Sequence, residues 1–109
     1  MALDVSKLAK DMLAAVLPGL KAKASNASLY ADMELKKIAQ TVALIEKTSK
    51  AGQITEEEAK LLLDMQKLAS RSVLTTLEGI GVLAAEQAIN AALAAVRAPI
   101  NAALGWPLV

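Results

Sequence analysis

The chain has 109 residues, 12 Lys and Arg against 11 Asp and Glu, and no Cys, His or Phe. Without thiol or imidazole there is no cysteine nucleophile, no disulfide, no zinc or haem site of the usual ligand types and no base that titrates near neutral pH. A net charge of +1 lacks the clustered basic footprint of a nucleic-acid-binding domain. Ala (23) and Leu (18) dominate while strand formers are few, so the expected fold class is all-α: an antiparallel helical hairpin or bundle of three to four helices, as one domain over 1–109. No cofactor or metal and no nucleic-acid partner is expected.

In chain order, Val5, Leu8, Ala9, Met12, Leu13 and Val16 recur at helical spacing. They predict a short amphipathic helix over 2–17, with Asp4 as its N-cap or first-turn acid and Pro18-Gly19 as its stop. Asp4 and Asp11 also interrupt what would otherwise be a leader-like stretch, and the chain reads as cytoplasmic. Residues 20–27 fit a polar connector, with Ser25, Asn26 or Ser28 available to cap the next helix. From 28 to 50, Ala31, Leu35, Ile38, Val42 and Ile45 alternate steps of four and three, the repeat of a long helix lying along a partner. Ala51-Gly52 should close it.

Thr55-Glu56-Glu57-Glu58 matches a capping box and opens a third helix, predicted over 56–78 and antiparallel to the second because the connection is short. Ala59, Leu62, Met65, Ala69 and Val73 form its expected inner face. Leu61, Leu63, Leu68 and Leu74 widen that stripe until it suits more than one neighbour. The stretch Gly52 to Glu58 resembles the second half of an EF-hand calcium loop, but the positions that must supply oxygen ligands in the first half are Lys47, Ser49 and Ala51. A plain helical hairpin is therefore the expectation. At Glu78-Gly79-Ile80-Gly81 the helix either breaks or continues to Ala98, which would give one very long C-terminal helix.

Residues 79–109 carry only Glu86 and Arg97 as charges, and form the apolar, Ala-rich assembly segment of this reading. Glu86, Asn90, Arg97 and Asn101 fall within about 60° of one another at about 100° per residue, a narrow polar stripe on an otherwise apolar cylinder. Glu86 has three readings: part of a structural stripe, partner of Arg97 in an antiparallel second copy, or a carboxylate with its own chemistry. Small residues at Gly81, Ala84, Ala85, Ala88 and Ala92 would admit a close helix. Together with Leu93, Val96, Ile100 and Trp106 they are the candidate oligomer interface. Pro99 should kink the segment or restart it.

The apolar side chains from Ile80 to Val96 contribute only about −0.5 kcal/mol each to membrane insertion against about +3 for one charge, so independent crossing is not expected. The lysines of the first two-thirds alternate with acids and read as a solvated face. Ser70, Ser72, Thr75 and Thr76 have no base beside them. The function expected is therefore non-enzymatic: a helical structural or interaction protein that self-assembles through its apolar C-terminal segment, or packs on another helical protein. The alternative is peripheral attachment to a lipid or other hydrophobic surface, as a coat or pore-forming element.

Overall fold

Asp4 caps the first helix, which opens at Val5 and not at residue 2: the Lys7 N–H donates to Asp4 Oδ1 at 3.2 Å and the Leu8 N–H to the Asp4 carbonyl at 3.0 Å. A computed structural model describes residues 3–21, 27–77 and 79–109, without the side chains of Lys21 and Ala27. It is all-helical among the described residues: α1 (Val5–Lys21), α2 (Ala27–Lys50), α3 (Glu56–Thr75), α4 (Val82–Ala95) and α5 (Arg97–Leu104). There are thus five helices in place of the expected three to four.

α1 does not stop at Leu17. It runs through Pro18 and Gly19 to Lys21. Pro18 removes one ladder bond and crowds the carbonyl of Ala14, but Ala14, Pro18 and Gly19 all lie on the exposed side, where water satisfies the freed carbonyl. The extra turn buries Leu20 in the core, which offsets the lost bond. Of the connector expected over 20–27, Leu20 and Lys21 are thus helical, and Ser25 and Asn26 lie outside the described residues. Because α2 opens at Ala27, Ser28 sits in its first turn rather than at its cap.

α2 buries Ala31, Leu35, Ile38, Val42 and Ile45, the face its repeat predicts. Its end is a Schellman closure: the N–H of Gly52 bonds the Ser49 carbonyl at 3.1 Å and that of Gln53 the Thr48 carbonyl at 2.9 Å, with Gly52 left-handed at φ +71°. Three residues later the capping box is complete. The Glu58 N–H donates to Thr55 Oγ1 at 3.1 Å and the Thr55 N–H to Glu58 Oε1 at 2.9 Å.

The very long C-terminal helix is absent. α3 ends at Thr75, short of the expected 78; Glu78 lies outside the described residues. Gly79 takes φ +87°, a conformation costly for a side-chain-bearing residue. Buried Leu77 and Ile80 flank this turn, so burial anchors it where no polar turn residue is present. A second break at Val96 separates α4 from α5. Pro99 is the third residue of α5, where a backbone N–H has no partner inside the helix, and α4 ends at Ala95, whose carbonyl the ring would otherwise meet.

α1 packs on α2 and α4, α2 on α1 and α3, and α3 more sparsely on α4, so four helices form a ring; α5 lies against α2 and α4. The result is 42 Å long and 22 by 17 Å across. Met12, Ile38, Val42, Ile45, Ala85, Ile89, Val96 and Ile100 belong to one apolar cluster. Among the described residues no helix is long and apolar enough to cross a membrane.

Candidate interaction surface

The C-terminal segment supplies much of the core of a single chain. Ala85, Ala92, Leu93, Val96 and Ile100 are all buried within it, Ala84, Ala88 and Trp106 are half-buried, and Gly81 is exposed. These five lie in the core of a single chain, so the expected interface through Ala85, Ala92, Leu93, Val96 and Ile100 would need surface that this fold does not expose. The helix that packs directly on α4 most extensively is α1 of the same chain, and Ala85 and Ala92 are fully buried. Periodicity reports that a stripe wants cover and carries no information on which chain supplies it.

The polar stripe is also resolved within one chain. Arg71 of α3 donates from Nη1 to Glu86 Oε1 of α4, so Glu86 has a partner within its own chain that its spacing in the sequence did not indicate. Asn101 holds the chain end: its Oδ1 accepts the N–H groups of Leu108 and Val109 at 3.0 and 3.1 Å, and its Nδ2 donates to the Val109 carbonyl at 3.0 Å. Asn90 and Arg97 remain exposed. They line a trench between α3 and α4, where one groove of about 380 Å³ carries Asp64, Lys67, Arg71, Glu86 and Asn90, and another of about 330 Å³ carries Lys60, Arg97 and Val109. Both signs of charge alternate along it, and no hydroxyl, thiol or imidazole lines it.

Buried polar groups elsewhere tie helices together. Glu46 Oε1 accepts the Leu3 N–H at 2.8 Å while its Oε2 meets Lys50 Nζ at 3.3 Å, which fixes the start of α1 to the end of α2. Glu34 pairs with Lys37. Thr41, Gln66 and buried Ser70 form a short hydrogen-bond chain from α2 to α3. No side-chain polar atom buried among the described residues lacks a partner, and no group of three or more carboxylates there assembles into a metal site.

What lacks a partner is apolar. α3 turns Ala59, Leu63, Ser70 and Leu74 inward, so the inner face expected through Leu62, Met65 and Ala69 is displaced sideways and those residues are exposed. Leu61 is 60% exposed, Met65 57% and Leu68 52%. Beside them, Thr41, Leu44, Ile45, Leu62, Met65 and Gln66 line a groove of about 320 Å³ between α2 and α3. Leu29, Met33, Val82 and Leu83 are further large exposed apolar side chains. The excess width of the α3 stripe was the signal for this surface, although it did not say which edge would stay uncovered. Comparisons of the chain with protein-family models, with curated proteins and with solved structures find no match.

Proposed function

We propose that this is a non-enzymatic helical interaction protein that self-associates, with the exposed face of α3 and the adjoining α2 groove as its contact surface. The observation that carries this reading is the run Leu61, Leu62, Met65 and Leu68, four large apolar side chains on two turns of one helix, all exposed. Contiguous apolar patches of that kind on water-facing helices mark interfaces far more often than isolated exposed leucines do. The ion pairs and capped helix ends elsewhere account for the polar groups without assigning them chemistry. The first turn of α4 also exposes Val82 and Leu83.

The test is the solution mass of the full chain in detergent-free buffer, by light scattering after size exclusion, over a hundredfold concentration range. The parent chain should exceed one copy and fall toward it on dilution. Met65→Glu should be monomeric with unchanged helicity, because a charge placed in a dry contact is costly whereas the same charge on a wet surface is not. A parent chain of one-copy mass at every concentration overturns the proposal. If that monomer instead sediments with phosphatidylcholine vesicles, the lipid-surface reading replaces it.

A further inference from the structure

The uncovered face of α3 has internal order that selects a partner and a register. Leu61, Met65, Leu68 and Ser72 recur at steps of four, three and four, all exposed, which is the seam of a helix that lies lengthwise on another helix. One flank of that seam repeats every seven residues as Glu57, Asp64 and Arg71, and the other as Leu62, Ala69 and Thr76. We infer that, given self-association, α3 pairs with α3 of a second copy in antiparallel fashion about a two-fold axis between Gln66 and Lys67. Met65 then opposes the partner's Leu68, Leu61 the partner's Ser72, Asp64 the partner's Arg71, and Leu62 the partner's Ala69.

Charge complementarity singles out this arrangement. A two-fold axis repeats each contact, so Asp64 against Arg71 is made twice, and the apolar flank closes through Leu62 and Ala69 twice. Shifting the pairing by one heptad puts Met65 against the partner's Leu61 but sets Asp64 against the partner's Asp64 and seats Glu58 on the partner's Leu68. A parallel pair brings both acidic clusters, Glu56 to Glu58, side by side with their helix ends aligned. In the antiparallel pair those acids lie at opposite ends, and Glu58 opposes the partner's Thr75.

Arg71 already donates through Nη1 to Glu86, and a guanidinium has further N–H groups to offer a second carboxylate. The Glu86 contact therefore holds Arg71 in place for the partner's Asp64. Leu44, in the α2 groove beside Leu62 and Met65, extends the apolar contact on the other flank.

The inference rests on the self-association proposed above, and charge exchange separates the two. Two variants of the full chain are made: Asp64→Arg, and Arg71→Asp combined with Glu86→Gln so that no carboxylate is left facing the new one. Alone, each sets like charges opposite one another twice, and the dimer dissociation constant should rise by on the order of tenfold or more. Mixed in equal amounts, the two variants set opposite charges across both positions, and dimers should return as one-to-one heterodimers, identified by native mass spectrometry. Circular dichroism of each variant alone confirms that both remain helical. A dimeric parent whose variants dimerise unchanged overturns this register and leaves the self-association reading intact, as does a mixture that stays monomeric. A monomeric parent overturns both.

Discussion

Two glycines show how one residue type acts in opposite directions. Gly79 sits at φ +87° between Leu77 and Ile80, so Gly79→Ala should lower stability by about 1 to 2 kcal/mol. Gly19 lies inside α1 with open space where a Cβ would go, and Gly19→Ala should raise stability by about 0.5 to 1 kcal/mol. Thermal melts of the two variants should move in opposite directions. Asn101 is the polar residue whose role changed most between sequence and structure. Its spacing puts it on a polar stripe with Glu86, Asn90 and Arg97, yet it makes three hydrogen bonds to Leu108 and Val109. Asn101→Ala should leave the bundle folded at a cost of about 1 kcal/mol while speeding amide exchange at Leu108 and Val109, a local signature read by hydrogen-exchange mass spectrometry.

Between elements, the small side chains of α4 set how closely α1 approaches. Ala92 is fully buried inside one chain, so Ala92→Leu should overfill the core and lower stability by about 1 to 3 kcal/mol, as chemical denaturation would measure, at every protein concentration. A contact between copies would behave differently, since its loss would appear in the solution mass first. Lys36, whose ion pair with Asp32 is exposed on both sides, should tolerate Lys36→Ala within about 0.5 kcal/mol. The end of α2 and the start of α3 are readable because both signals are local: the Gly52 closure and the Thr55–Glu58 box each involve a few consecutive residues. The end of α1 is not readable at Pro18, because the proline penalty is local whereas the burial of Leu20 that overcomes it depends on other helices.

For the whole molecule, packing within one chain buries one face of the C-terminal segment, Ala85, Ile89, Ala92, Leu93, Val96 and Ile100, and leaves the outer face of α3 bare. A dimer forms only from folded copies, so self-association should make the melting temperature rise with protein concentration. Met65→Glu should abolish that dependence, and differential scanning calorimetry at several concentrations reads both. The near-absence of charge from 79 to 109 says nothing of how much of that segment α1, α2 and α3 hide: Ile89, Leu93, Val96 and Ile100 are all inside, and large exposed apolar side chains lie on α3, a helix rich in charge.

The all-helical class, the two hairpin helices and their caps, and the inward face of α2 follow from the sequence alone, because propensity, capping and a simple repeat act over a turn or two of chain. Tertiary structure alone decided that α4 packs on α1, that Glu86 answers Arg71, and that Leu61, Met65 and Leu68 face water. Each of those outcomes depends on which helix lies alongside, and an apolar stripe has the same spacing whether its cover comes from its own chain or from another.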